Sequence, residues 1–136
     1  MCTIATAKYM LRRAMEQGLR GAYLLADLDR AAKVCNGIGA AWFPRWLRWA
    51  ICTLNPSLVP TSWVHDIEYQ LGGGIWVRWV ADWHFLTNGL RGAMHDYAWY
   101  LPRRYAACGC ALWYWLLLRI GGQAAFNWHG GQHGNR

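Results

Sequence analysis

Acidic residues are scarce in this sequence. Seven aspartates and glutamates stand against 14 lysines and arginines, which gives a formal net charge of +7. With so few carboxylates, the ones that lie in apolar stretches are informative, and Asp66 and Asp82 are two of these. Lysine is scarce as well, because 12 of the 14 basic residues are arginine. This balance suits anionic partners such as a lipid surface or a nucleic acid.

Cysteines in a regular framework and long apolar runs are also lacking. The five cysteines are an odd number without regular spacing, so we predict a reducing compartment rather than a disulfide scaffold. The uncharged stretch over residues 106–118 has 13 residues, fewer than the roughly 20 that span a bilayer. Lys8 interrupts the N-terminal apolar run, so no secretory signal is recognised. We therefore expect a cytoplasmic or membrane-peripheral protein without a transmembrane helix.

Tryptophan, in contrast, is abundant, with 11 residues. Indole rings combined with arginine are typical of membrane interfaces, and aromatic rings also stack on the bases of single-stranded nucleic acids. The densest segment, residues 42–49, alternates aromatic and basic residues. Its Trp42, Trp46 and Trp49 are candidates for a rim that sits in the lipid interface. The alternative, that they simply cover neighbouring helices, has equal weight.

Helical periodicity predicts a mostly α protein with a single domain over residues 1–126. Gly72, Gly73 and Gly74 predict a tight turn that folds two central helices antiparallel to each other. We expect an N-terminal helical extension over residues 1–33 and a disordered Gly/His-rich tail over 127–136. The predicted helices are 7–34 (one or two pieces), a helix capped by Thr61 or Ser62, 75–93 and 102–120, with residues 50–60 as a connection.

The first central helix carries three side chains that suit acid–base chemistry. His65 and Tyr69 are four residues apart and share a face, while Asp66 points about a quarter-turn away. On the second central helix, Asp82 lies in a mostly apolar row and needs a partner. That partner is either His65 across the helix pair or Arg78 in an exposed i,i+4 pair.

A glycine-rich segment, residues 35–41, precedes these two helices. Loop carbonyls and one carboxylate are a common source of the six to eight oxygens that Ca²⁺ takes. A neutral histidine oriented by a second carboxylate can take a proton from water. The order of loop, His-Asp helix and opposing Asp therefore indicates calcium-assisted ester hydrolysis.

In that order the chain resembles the phospholipase A2 superfamily, and within it the small phage and bacterial phospholipase A2-like proteins. The resemblance covers residues 34–126 and leaves the N-terminal extension unexplained. Asp82 lies 17 residues after His65. The matching segments are NGIG at 36–39, HDIEY at 65–69, ADWHFLTNGL at 81–90 and RIGGQAAF at 119–126.

The resemblance implies a phospholipase A2-like fold with a calcium loop packed against the first central helix, and hydrolysis of the sn-2 acyl ester of glycerophospholipids at a membrane surface. A backbone N–H near Gly39, together with the ion, would stabilise the oxyanion. Ile38 and Ser62 stand where secreted relatives carry the two halves of a disulfide, so packing alone would hold the loop here. The implied roles are His65 as general base, Tyr69 and Asp82 as the groups that orient it, and Asp66 with the carbonyls of Gly37, Gly39 and Ala41 as Ca²⁺ ligands.

Three alternatives remain beside this hypothesis. A catalytically inactive relative that only binds membranes would keep the pattern, and a basic nucleic-acid-binding protein would fit the charge, although no nucleic-acid-binding motif supports it. A zinc site built on Cys108 and Cys110 lacks the usual spacing and a second pair of ligands. His84 and His95 are expected at the surface or at the edge of the core.

Overall fold

In the computed structural model, the chain is described over residues 2–35, 37–38 and 43–130. Those ranges contain no strand, which confirms the mostly α prediction. The N-terminal extension divides into two α-helices and an intervening 3₁₀ turn, Ala22–Ala26, and a second 3₁₀ turn is Gly122–Ala124. The α-helices are α1 (Ile4–Glu16), α2 (Leu28–Val34), α3 (Arg45–Leu54), α4 (Val59–Leu71), α5 (Ile75–Asp96) and α6 (Pro102–Gly121).

Helix α4 is the centre of the protein. Nine of its 13 residues are buried, including Val64 and Ile67, which are among the largest fully buried side chains. It packs against α1, α2 and α5. The predicted N-cap at Thr61 or Ser62 is wrong, because α4 begins at Val59 with Pro60 in its first turn. A proline is favourable there, since the first N–H groups of a helix have no partner within the helix.

Glycines make the turn from α4 into α5. Gly72 has φ of +64° and Gly73 has φ of +140°, conformations that side chains with a Cβ rarely adopt. The N–H of Gly72 still bonds to the carbonyl of Glu68 and so ends α4. The carbonyl of Asn127 approaches so closely that a Cβ at Gly72 would overlap with it. Helix α5 therefore starts at once and runs back along α4.

Helix α6 packs on the outer side of α5. The two helices approach closely at Gly89, where an added Cβ would lie 2.8 Å from the Cβ of Ala111. Ala111 is the single buried residue of α6. Cys108 and Cys110 are half-buried rather than in the core, and all five cysteines are free thiols. The predicted tail begins at Asn127, and its first four residues lie at the end of α4, where Asn127 Nδ2 donates to the carbonyl of Gln70. The rest of the tail lies outside the described residues.

Helix α3 corrects the prediction of a connection over residues 50–60, because the helix continues to Leu54. None of its ten residues is buried. Its Trp46 and Trp49 are exposed, while Trp42 lies outside the described residues. In the part of the chain that the structure describes, every helix is too short or too polar to cross a bilayer.

Candidate functional site

Two aromatic side chains on α4 form one wall of the candidate site. The rings of His65 and Tyr69, one helical turn apart, have centroids 4.0 Å from each other. Phe85 of α5 meets the His65 ring edge-on, with centroids 5.3 Å apart. His65 is buried, so its ring is held by packing as well as by hydrogen bonds.

Asp82 of α5 lies at the centre of the site with no exposed surface. Its Oδ1 accepts a hydrogen bond of 2.5 Å from the Tyr69 hydroxyl and lies 3.3 Å from Nε2 of His65. Its Oδ2 accepts a hydrogen bond of 2.6 Å from Nη1 of Arg119 on α6. Of the two partners considered for Asp82, the structure therefore gives His65 the direct contact.

Arg78, the other candidate partner, is buried rather than exposed. Its Nε lies 3.9 Å from Oδ2 of Asp82, but the guanidinium donates its hydrogen bonds to the backbone carbonyls of Leu118 and Arg119. Arg78 thus adds positive charge near Asp82 and ties α5 to the end of α6.

Burial and hydrogen bonding act in opposite directions on the pKa of His65 and on that of Asp82, and both pKa values end below their ordinary values. Burial lowers the pKa of His65 below its usual value, although the nearby Asp82 carboxylate acts in the opposite direction. Burial alone would raise the pKa of Asp82, but bonds from His65, Tyr69 and Arg119 outweigh it and hold that pKa below the ordinary value. At neutral pH the site therefore holds a neutral imidazole beside an ionised carboxylate.

The contact with Asp82 also assigns the tautomer of His65. Nε2 faces an ionised carboxylate and carries the proton, so the lone pair is on Nδ1. Burial raises the pKa of Tyr69, so its hydroxyl stays protonated and donates to Asp82. This arrangement can take one proton at Nδ1 and stabilise the resulting imidazolium.

Asp66 lies beside the glycine-rich segment. It is half-buried on α4. Burial raises the pKa of the Cys35 and Cys52 thiols, and the nearby charge of Asp66 adds to both shifts. Gly37 has φ of +87°, and a Cβ there would lie 2.9 Å from Sγ of Cys52. The N–H of Ile38 donates to the same sulfur. Two of the predicted loop ligands, Gly39 and Ala41, lie outside the described residues.

These residues fit the donor chemistry that Ca²⁺ prefers. A carboxylate and a glycine carbonyl supply hard oxygen ligands, and the positive φ of Gly37 allows a sharply turned loop. Among the described residues, no three His, Cys, Asp or Glu side chains form a metal-binding group. A carbonyl-rich calcium loop is a different kind of site, because most of its ligands come from the backbone.

Two features of the site were not predicted from the sequence. Arg119 was recognised only as the first residue of RIGGQAAF, and its bond to Asp82 was not predicted. Glu68 and His84 form a second pair across α4 and α5, with Oε1 and Nδ1 2.6 Å apart. Burial raises the pKa of Glu68 to about 7.

Comparison with known proteins gives no match, whether the chain is tested against family models, curated proteins or solved structures.

Proposed function

We propose that this chain is a calcium-dependent hydrolase of the sn-2 acyl ester of glycerophospholipids, acting at a membrane surface. The observation that carries the proposal is the buried contact between His65 and Asp82, with Asp66 next to the histidine on the same helix. A neutral imidazole oriented by an ionised carboxylate is the arrangement that general-base hydrolysis requires.

His65 performs the proton transfers in this proposal. Its Nδ1 takes a proton from water as the water oxygen bonds to the acyl carbon, and the charge of Asp82 stabilises the imidazolium. When the tetrahedral intermediate collapses, the ester bond to the sn-2 oxygen breaks. That oxygen takes the proton from His65, so fatty acid and lysophospholipid leave and the neutral base is restored.

Tyr69 and Arg119 keep Asp82 in position during these transfers. Tyr69 donates to the oxygen that faces His65, while Arg119 donates to the other oxygen, so both oxygens of the carboxylate are held in place. Because these donors also favour the charged form, Asp82 does not take the proton itself.

Asp66 and the carbonyls of Gly37, Gly39 and Ala41 would hold the calcium ion. When bound, Ca²⁺ would polarise the ester carbonyl and bind the lipid phosphate. The position of Asp66 one residue after His65 puts the two functions on neighbouring faces of a buried helix. On α3, Trp46 and Trp49 are exposed and suit a lipid-facing rim beside this loop.

The test is release of fatty acid from phospholipid vesicles with calcium or with a chelator. We expect calcium-dependent release, and we expect His65→Gln to lower the rate at least about 100-fold, the usual contribution of a general base. Asp66→Asn should remove the calcium dependence and the activity together. The matched control is His129→Gln, which changes an exposed histidine and should leave the rate unaltered.

Each other outcome has a definite meaning. Calcium-dependent release by His65→Gln or Asp66→Asn would exclude the assigned residues. Vesicle binding by the unaltered chain without any release would indicate a non-catalytic lipid-binding protein, and salt-sensitive binding to oligonucleotides but not to vesicles would indicate a nucleic-acid-binding protein.

A further inference from the structure

The outward side of α5 carries a stripe of large apolar side chains. Trp76, Trp79, Val80 and Trp83 are spaced i, i+3, i+4 and i+7, and all four are exposed. Trp76 has 78% of its surface exposed. That spacing normally turns one face of a helix towards a core. Here the opposite face of α5, with Asp82 and Phe85, is already buried, so the exposed stripe is a second apolar face of the same helix.

Helix α6 has a similar exposed stripe over its last four turns. Trp113 is 60% exposed and Ile120 is 82% exposed. Since Ala111 is the one buried residue of α6, most of this helix lies on the outside of the protein. The exposed large apolar side chains of α6 are Tyr105, Leu112, Trp113, Leu116, Leu117 and Ile120.

The two stripes adjoin. The guanidinium of Arg119 stacks over the Trp79 ring, with 4.2 Å between its central carbon and the ring centroid. Arg78 donates to the carbonyl of Leu118, so the start of α5 lies beside the end of α6. We call the combined surface, formed by the exposed apolar residues of 75–83 and 112–120, the aromatic face. Contiguous apolar patches of this kind mark interaction sites on proteins.

The distribution of charge limits what can cover the aromatic face. Among the described residues, the exposed acidic side chains are Glu16, Asp27 and Asp29, all in the first 29 residues. From residue 43 to residue 130 the exposed charged side chains are arginines, namely Arg45, Arg91 and Arg103, and histidines aside there are no others. This part of the protein therefore complements an anionic surface and would repel a second copy of itself.

The chemistry of the aromatic face favours lipid over nucleic acid. Single-stranded nucleic acids need free cations along the backbone as well as aromatic rings. On this face the two nearest arginines are engaged, since Arg119 binds Asp82 and Arg78 binds backbone carbonyls. The remaining residues mix indole rings with aliphatic side chains, which is the composition of surfaces that enter the headgroup region of a bilayer.

We propose that the aromatic face of α5 and α6 docks on the surface of an anionic phospholipid bilayer. Arg119 connects this face to the candidate site, because its guanidinium stacks over Trp79 and its Nη1 donates to Asp82. This inference goes beyond the proposed function and is argued from exposed apolar surface and charge alone. The binding itself is measurable without hydrolysis.

The test is flotation of the full chain with phosphatidylglycerol/phosphatidylcholine vesicles in the presence of a chelator. The variant Trp76→Ala/Trp113→Ala removes two exposed rings of the aromatic face. We expect its vesicle partition coefficient to fall by more than about tenfold, because burial of large rings contributes strongly to interfacial binding. Ile120→Glu, which puts a charge on the same face, should give a loss in the same direction.

The matched control is Trp99→Ala/Tyr100→Ala, which removes two exposed aromatic residues at the other end of the helix pair. We expect its partition coefficient to stay within about twofold of the unaltered chain. Circular dichroism verifies that each variant folds. Equal partition of the unaltered chain and Trp76→Ala/Trp113→Ala would overturn the proposal. The proposal would also be overturned if the chain did not bind vesicles and instead formed a dimer, or bound single-stranded DNA, through the same residues.

The docking proposal and the hydrolase proposal are contradicted by different results. If the aromatic face docks as expected but no fatty acid is released with calcium, the hydrolase proposal fails and the docking surface stands. If calcium-dependent release and vesicle binding are both unchanged in Trp76→Ala/Trp113→Ala, the docking surface fails and the hydrolase proposal stands.

Discussion

The side-chain contacts of the Asp82 carboxylate connect three helices. His65 and Tyr69 come from α4, Asp82 from α5 and Arg119 from α6. A fully buried charge is tolerated only with such partners, and loss of one partner of a buried ion pair typically costs about 3–5 kcal/mol. The same bonds that orient the candidate base therefore also hold α6 against the helix pair.

Glu68 is a half-buried carboxylate whose pKa lies near neutral. Burial raises its pKa from 4.5 to about 7. Because the folded state holds the proton more tightly, the stabilising contribution is complete below pH 4.5 and is lost as the pH rises through 7. In Glu68→Gln this loss is absent. We therefore expect the variant to gain stability relative to the unaltered chain by about 1–3 kcal/mol between pH 5 and pH 8.

Urea denaturation across that pH range in the presence of a chelator measures the difference. The matched control is Glu16→Gln on α1, an exposed glutamate, which we expect to change the free energy of unfolding by less than about 0.5 kcal/mol at every pH. A constant difference between Glu68→Gln and the unaltered chain from pH 5 to pH 8 would contradict the assignment.

At the scale of single residues, part of the site could be predicted from the sequence. The i,i+4 spacing predicted that His65 and Tyr69 share a face. The apolar row around Asp82 predicted that it needs a partner but left a contact with His65 and an exposed pair with Arg78 as alternatives, and the structure shows the buried contact with His65. Arg119 was beyond reach because its bond to Asp82 depends on how α6 crosses α5, which local periodicity does not contain. The Glu68–His84 pair was missed for the same reason.

At the scale of helices, periodicity and glycine placement were informative. The turn at Gly72 and the extent of α6 follow the prediction, because glycine and proline act locally. Helix α3 was not predicted, since prolines at 56 and 60 suggested a connection over residues 50–60, whereas the helix ends before them at Leu54. The outward direction of the Trp76–Trp83 stripe was also unpredictable, because periodicity gives a face without saying what covers it.

The contact between α5 and α6 depends on Gly89. A Cβ there would lie 2.8 Å from both the Ala111 Cβ and the Leu58 Cδ1, so the helices would have to separate. Overpacking of this kind costs about 1–3 kcal/mol, partly offset by the better helix propensity of alanine. We expect Gly89→Ala to lower the free energy of unfolding by roughly 1–2 kcal/mol in urea denaturation.

Gly109 on α6 is the matched control for this change. A Cβ at Gly109 would meet nothing within 4 Å, so only propensity changes there. We expect Gly109→Ala to raise the free energy of unfolding by about 0.5–1 kcal/mol. If both variants shift the urea midpoint in the same direction, close packing at Gly89 does not control the α5–α6 contact.

For the molecule as a whole, the exposed acidic residues lie in one part of the chain, and the exposed apolar surface lies in another part whose exposed charges are positive. The exposed acids lie in the first 29 residues, and the aromatic face lies in the basic remainder of the described chain. Two forces then act on the proposed docking: attraction between a +7 protein and anionic lipid, and burial of indole rings. Salt screens the first but not the second.

This separation predicts how salt affects binding. Raising NaCl from about 0.05 M to about 0.5 M shortens the screening length to a few ångströms. We expect the unaltered chain to lose several-fold in partition onto phosphatidylglycerol-containing vesicles yet retain measurable binding, because the rings stay buried. We expect Trp76→Ala/Trp113→Ala to lose nearly all of its remaining binding, because only the attraction between charges is left in that variant. Flotation at both salt concentrations measures this, and phosphatidylcholine vesicles serve as the uncharged control. Equal fractional losses for the two proteins would mean that the aromatic face adds nothing to electrostatic attraction, since screening alone would then account for both.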